Sequence, residues 1–402
     1  GDPDNFRLLL QLVDPDLFAD TDILARAVQR QENPIFLRRL KEDMVDFDGR
    51  PLFPPRHVKT LGVELTEPEQ ALYEEVTRYV GETFNRALAE QNRNVTFALI
   101  VLQRRLASSV RAIRRSLENR RDRLTGLCDL VRADPELLAA AANGAVAQRP
   151  ADGDEWEDLP EQERWQAEEQ ALRFTVARNL EELEAEVAIL DRLARQALAV
   201  EQNGPERKLD ELRRVMEQGG LLRAANPSGL ELAGRARFDA GRPEGFAPDE
   251  RASRPEKLRI FTAAKDTLDS LCDTLAAWGL SVTSIDGAMA PPERYRAEQH
   301  FRDPNGAQVM VATEAAGEGI NLQFCHLMIN YDLPWNPMRL EQRMGRIHRY
   351  GQRYEVVVTN LVATSTREGM VWQALFNKLE RMRAGLGRDR VFDVIDQLLE
   401  GV

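Results

Sequence analysis

The chain has 402 residues, 43% of them hydrophobic, with 66 acidic against 54 basic side chains and a formal charge of -12. That is enough apolar content to bury cores in two or three domains, and the acidic balance argues against a generic basic coat for nucleic acid. Cys128, Cys272 and Cys325 lie far apart with no CxxC pair, which supports neither a disulfide framework nor a cysteine zinc site and leads to the expectation of a reduced, cytoplasmic protein.

No run of about 18 apolar residues is present to span a bilayer, and the first residues lack the basic-then-apolar layout of a signal peptide. The chain opens Gly1-Asp2-Pro3 rather than with Met, as expected of a processed form or a piece of something longer. Of the bases, 48 are Arg and six are Lys. A GC-rich genome explains that ratio more simply than phosphate binding does.

Residues 1–66 mix short helical patterns with turn signals at Asn33-Pro34, Asp48-Gly49 and Pro54-Pro55, the texture of a connecting segment. Residues 67–219 are helix-compatible almost throughout. Leu72, Val76, Tyr79 and Val80, and later Leu180, Leu183, Val187 and Leu190, recur at helical spacing. The second set is too short for a long coiled coil, so packing in a helical hairpin is expected. Two charge runs of opposite sign lie inside this zone. Arg104 to Arg123 holds eight arginines against Glu118 and Asp122, while Asp152 to Glu169 holds nine acids against Arg164. The arginine face suits phosphate, which makes Arg104, Arg105 and Arg111 candidates for nucleic-acid contact, and it suits an intrachain contact with the acidic stretch equally well.

Residues 220–255 are dense in turn formers, among them Asn226-Pro227-Ser228-Gly229 and Gly241-Arg242-Pro243, and read as a linker. Over 256–402 the texture changes. Strands are expected at Lys257–Thr262, Ser281–Ile285, Gln308–Ala312, Leu327–Asn330 and Glu355–Leu361, with helices at Thr267–Trp278 and Pro291–Phe301. This alternation predicts parallel crossover units, and hence an α/β domain with a parallel sheet, C-terminal to a largely helical domain.

Gln342 to Gln352 reads QRMGRIHRYGQ. Placed on a helix, Gln342, Gly345, Arg346 and Arg349 fall three or four apart on one face, so two guanidinium groups aim at a common anion where Gly345 permits close approach. Arginine suits a phosphoryl group, whose charge spreads over its oxygens during transfer. Ala312 to Leu322 reads ATEAAGEGINL, placing Gly317 and Gly319 after an apolar strand, at the end where open α/β sheets bind ligands. His348, between the arginines, reads as a positioning residue. His57, His300 and His326 show no metal spacing, and no metal ligand is assigned.

The first of these strings resembles motif VI of superfamily 2 helicases and translocases, specifically the Swi/Snf-type ATPases, and ATEAAGEGINL resembles their motif V. KLRIFT at 257–262 is similar to motif IV, and Ile285-Asp286-Gly287 with Arg294 and Phe301 to the block between motifs IV and V. Asn330 to Met338 is similar to the segment after motif V. Pro34 to Met44 with Pro54-Pro55-Arg56 resembles the bridge between two motor lobes, and Gln70 to Tyr73 the start of the helices beyond it. The resemblance implies a RecA-like second lobe over 256–402, with 67–219 as a helical insertion. It further implies Arg346 and Arg349 as arginine fingers, Gly317, Gly319, Asn321 and Gln342 at the nucleotide, and Thr313 on a nucleic-acid phosphate. The ligands implied are ATP and Mg2+, held mainly by another lobe. The partner implied is double-stranded DNA, with a protein on DNA as candidate cargo. Trp335 either stacks on a ligand or fixes the helix after it.

A Gly-x-x-x-x-Gly-Lys-Ser/Thr phosphate loop and an Asp-Glu box after an apolar strand do not occur in these 402 residues. The expectation is the second half of a two-lobed motor, with a first RecA-like lobe upstream in the same polypeptide and no ATP hydrolysis by this chain alone. The alternative is a motor-derived scaffold that binds DNA or protein without ATPase activity.

Overall fold

The computed structural model describes residues 44–89, 93–134, 161–222 without 173 and 205, 256–314, 324–334 and 337–366 without 353, together with 8, 11, 12, 138, 369, 370 and 372. Among these the chain runs β1 (Arg56–Val63), α1 (Glu67–Ala89), α2 (Arg93–Ser108), α3 (Val110–Ala133), α4 (Glu161–Ala171), α5 (Leu180–Asn203), α6 (Arg207–Gln218), β2 (Leu258–Phe261), α7 (Lys265–Ala277), β3 (Val282–Ile285), α8 (Pro291–Arg302), β4 (Val309–Ala312), β5 (Leu327–Asn330), α9 (Pro337–Met344) and β6 (Val356–Ala363).

The strands form one sheet in the order β1-β6-β5-β2-β4-β3, and every neighbouring pair is parallel. β2 and β4 are buried along their whole length, as parallel strands covered on both faces must be. Side chains alternate between two cores. Phe261, Met310, Ala312 and Met328 pack with Phe301 of α8 and with Leu340, Met344 and Ile347 in and after α9. Leu258, Ile260, Val309, Val311 and Ile329 pack with Leu268, Leu271 and Leu275 of α7 and with Leu212 and Met216 of α6. This is the expected α/β, RecA-like sheet.

β1 falls in the stretch read as connecting segment, yet it pairs with β6 from Arg56↔Val356 to Val63↔Ala363. Its pattern was hard to see because an edge strand is only partly covered and keeps charges: Arg56, His57 and Lys59 alternate with buried Val58 and Thr60. α6 also departs from the helical zone around it, since its apolar stripe belongs to the sheet's core.

The remaining helices form their own core, with Leu72, Val76, Leu99, Leu102, Ile113, Leu117, Leu183, Leu190 and Leu193 at its centre. Ser109 caps α3 by accepting from the Ala112 N–H at 3.1 Å, and Asn179 caps α5 by accepting from the Glu182 N–H at 2.8 Å. Inside this bundle Arg120 is fully buried and donates to Glu186 at 2.7 Å and to the Tyr79 oxygen at 2.9 Å. The Tyr79 and Thr175 hydroxyls donate to the same carboxylate. A buried charge is tolerated here because the network pairs it.

Helical domain and sheet meet at Asp332, two residues past β5. One carboxylate oxygen accepts from Ser108 Oγ at 2.7 Å, Thr262 Oγ1 at 2.5 Å and the Ala263 N–H at 3.1 Å, and the other faces Lys208 Nζ at 3.2 Å. Burial opposes its charge, but Lys208 and these donors outweigh burial and hold the carboxyl below its ordinary range. Replacing Asp332 by Ala leaves the buried Lys208 charge without its carboxylate, though still on the Ala107 carbonyl, at a cost of roughly 3 kcal/mol. The expected result in chemical denaturation is a lower midpoint with loss of both domains together. An unchanged midpoint contradicts the hub.

Candidate nucleotide and nucleic-acid site

The arginine string begins in α9 and leaves it. α9 ends at Met344, and the chain then tightens into turns, with the Arg346 N–H on the Arg343 carbonyl at 3.1 Å and the Ile347 N–H on the Met344 carbonyl at 3.1 Å. The single helical face expected for Gln342, Gly345, Arg346 and Arg349 is therefore corrected. The reason is packing: Ile347 and His348 are both driven into the interior, which a continuing helix with both arginines outward does not allow. His348 Nε2 donates to the Pro54 carbonyl at 2.9 Å and its ring lies 5.6 Å from that of Phe53, tying the string to the chain just before β1. Gly351, at φ +89°, makes the turn that returns Gln352 inward. The Gln352 amide donates to the carbonyls of Cys325 and Ile347, each at 3.1 Å.

These turns sort the arginines. Arg343, which the sequence reading passed over, is almost wholly buried. It donates to the Asp332 carbonyl at 2.8 Å and to Glu314 at 3.1 Å, and its guanidinium lies 5.2 Å from the centre of the Phe261 ring. Arg346 is half-buried, and its guanidinium has no hydrogen-bond or ion-pair partner among the described residues. Arg349 is half-buried and uses Nε on the Gly345 carbonyl at 3.2 Å. Gln342 is exposed. The only hint of Arg343's different task was its position directly after Gln342.

Glu314, the residue after Thr313, collects three guanidinium groups: Arg339 at 2.6 Å, Arg343 at 3.1 Å and Arg164 of α4 at 3.2 Å. Burial alone raises its pKa, but Arg343, Arg164 and Arg339 outweigh burial and hold the carboxyl down to about 2. Thr313 itself is fully buried, and its hydroxyl has no hydrogen-bond partner among the described residues. Gly317, Gly319, Asn321 and Trp335 lie outside the described residues. Arg259, in a strand the sequence presents as apolar, is also fully buried with all three guanidinium nitrogens unpartnered, 4.1 Å from the centre of the Phe261 ring. Burial, followed by the like charges of Arg346 and Arg343, brings its guanidinium down to about 9.

The arginine-dense face is largely taken up within the chain. Arg105 donates to Glu168 at 2.5 Å and lies 3.6 Å from Asp266; Arg111 pairs with Glu201 at 3.1 Å and Asp273 at 2.8 Å. Arg123 pairs with Glu169 at 3.2 Å, and Arg104 also has a partner. Of the two uses left open above, the intrachain acidic contact is the one made in this structure. Among the described residues no group of three or more His, Cys, Asp or Glu could hold a metal, and no helix is long and apolar enough to cross a membrane.

The Glu314 shift carries a sign. A carboxyl depressed from 4.5 to about 2 contributes stability that is fully present above about pH 4.5 and is lost as pH falls toward 2. Thermal midpoints of the wild type and Glu314→Gln should therefore differ most near pH 5 and converge toward about pH 2. A difference that stays constant over that range contradicts the assignment.

Residues 246–351 match the helicase conserved C-terminal domain. An uncharacterized ATP-dependent helicase, YqhH, from Bacillus subtilis (strain 168) is 43% identical over 132 residues, which is 33% of this chain and 23% of that protein. The RNA polymerase-associated protein RapA of Pseudomonas aeruginosa (strain LESB58) is 40% identical over 102 residues, 25% of this chain and 11% of RapA. The chain thus aligns with less than a quarter of the length of these curated relatives. Among solved structures, the C-terminal part of the Fun30 ATPase domain is 16% identical, covering 80% of this chain and 89% of that one, with a TM-score of 0.43. Residues 246–351 thus carry a helicase conserved C-terminal domain, set in the parallel sheet and preceded by a largely helical domain.

Proposed function

We propose that this chain supplies the second motor lobe of an ATP-dependent, Swi/Snf-type DNA translocase. The domains are the connecting segment (1–66), the helical insertion (67–219), the linker (220–255) and the RecA-like lobe (256–402). One observation carries this reading. Of the three arginines in the string, Arg343 is spent on internal contacts, while the Arg346 guanidinium has no partner among the described residues and Arg349 uses one nitrogen on a backbone carbonyl. Leaving two half-buried guanidinium groups short of partners costs free energy unless an anion completes them. A phosphoryl group is the anion whose spread charge two forks fit best.

In this reading Arg346 and Arg349 act as arginine fingers on the γ-phosphate of ATP. Gly317, Gly319, Asn321 and Gln342 line the same nucleotide, and Thr313 contacts a DNA phosphate. The sequence has no phosphate loop, so the triphosphate and Mg2+ are held mainly by a first RecA-like lobe. Magnesium would supply charge neutralisation at the phosphates when bound. Closing and opening of the lobes around the nucleotide then steps the motor along duplex DNA, a ligand-driven shift between two states. The RNA polymerase association in the name of one relative supports a protein on DNA as candidate cargo. The chemistry is expected in a cytoplasmic setting. The rival reading, a scaffold without ATPase activity, does not account for two guanidinium groups that form no ion pair among the described residues.

In the longest natural form of the protein, Arg346→Ala and Arg349→Ala should each lower the rate of ATP hydrolysis by about a thousandfold or more. Their thermal midpoints should stay within a few degrees of the wild type, because Arg346 loses no side-chain partner among the described residues and Arg349 loses one hydrogen bond, worth roughly 0.5–1.5 kcal/mol. Unaltered hydrolysis in both variants favours the scaffold.

A further inference from the structure

α4 is where the helical domain reaches the C-terminal ends of the lobe's strands. β3 is followed by Asp286-Gly287 and β4 by Thr313-Glu314, and such strand ends are where open α/β sheets take their ligands. α4 sits on both. Glu161 is buried against Gly287, so that a Cβ built on this glycine lies 3.0 Å from the Glu161 Cβ, and buried Arg164 reaches Glu314. The same helix turns acids toward the arginine-dense face, Glu168 to Arg105 and Glu169 to Arg123. Next to Glu314 in sequence stands Thr313, whose buried hydroxyl has no partner among the described residues.

What holds α4 in place is unusual for a packed helix. Its buried residues are Glu161, Arg164 and Ala171, two charges and the smallest apolar side chain. A helix seated on a core normally buries an apolar stripe worth roughly 1.5–3 kcal/mol per large side chain. α4 is instead seated largely through ion pairs, with half-buried Trp165 and, just past its end, buried Leu172 as its larger apolar contacts. The exposed Glu169–Arg123 pair is weak and can be exchanged for another anion, while Glu168–Arg105 is mostly covered.

We propose that α4 is a displaceable acidic plug on the nucleic-acid face of the lobe. Its carboxylates hold Arg105 and Arg123 in the place of DNA phosphates, and its N-terminal half covers the approach to Thr313. A duplex then gains these three residues only when α4 leaves. The proposal rests on the nucleic-acid reading above, and it makes the helical insertion a restraint on DNA engagement. Exchange of carboxylates for phosphates is driven by the counterions the duplex releases, so the competition is salt-dependent.

The test locks the plug. In the full chain, Glu161→Cys with Gly287→Cys sets two Cβ atoms close to disulfide spacing, within a small shift of the usual range. Binding of a fluorescent duplex oligonucleotide is measured by anisotropy in the oxidised and reduced states of that one protein, with the wild type and Arg164→Glu beside it. The reduced form should bind at least tenfold tighter than the oxidised form. Arg164→Glu sets a like charge against Glu314 and should bind more tightly than the wild type, although it makes the chain more negative. Equal binding in both redox states, with Arg164→Glu no tighter than the wild type, overturns the plug and leaves the nucleic-acid reading standing. No duplex binding by any form removes both. Should the double variant fail to fold by circular dichroism, the direction of the Arg164→Glu change decides alone.

Discussion

The charge on Asp332 is the constraint from which the rest of this arrangement follows. A carboxylate taken out of water must be repaid by donors from every side. Here the donors come from the end of β2, the end of α2 and the first turn of α6. Three segments far apart in sequence are thereby fixed around one point at the end of β5. The contact brings the helical domain into register with the sheet although the two have separate apolar cores.

From that point the order passes to the arginine string. The backbone carbonyl of Asp332 accepts from Arg343, whose other nitrogen reaches Glu314, and Glu314 in turn takes Arg339 and Arg164. A second polar path crosses the sheet, from Thr60 to Asn360 to Asn330 and weakly on to Arg343. Arg343 is thus held from three directions, and the turn after α9 starts from a fixed place. Burial of Ile347 and His348 then sets where Arg346 and Arg349 emerge. The like charge of buried Arg259 adds an electrostatic reason for Arg346 to stay outward, since guanidinium groups in a low-dielectric interior repel one another.

Much of this was legible in the residues. β2, β4, β5 and β6 stand out because parallel strands covered on both faces read as largely apolar runs, whereas the turns that end α9 inside QRMGRIHRYGQ were not legible, since its spacing also suits a continuing helix. β1 was not legible, because an edge strand with Arg56, His57 and Lys59 has the composition of a loop. Nor was the division of labour among arginines. Arg343 and Arg346 are the same residue type three positions apart, and only the end of α9 at Met344 separates a buried tether from a half-exposed group. The opposed charge runs could be seen, but not their pairing, since Arg105 and Glu168 are joined by folding rather than by spacing along one helix. Arg259 shows the limit most plainly: within KLRIFT it looks like a surface residue of a strand, and in the fold it lies wholly inside the sheet.

The account's central claim is that this chain presents half of a divided nucleotide site. The most direct measurement is steady-state ATP hydrolysis, with and without duplex DNA, by this 402-residue chain and by the longest natural form of the protein. The account predicts no turnover by the chain alone and DNA-stimulated turnover by the longer form. Hydrolysis by the chain alone, or a longer form that does not hydrolyse ATP under either condition, contradicts it.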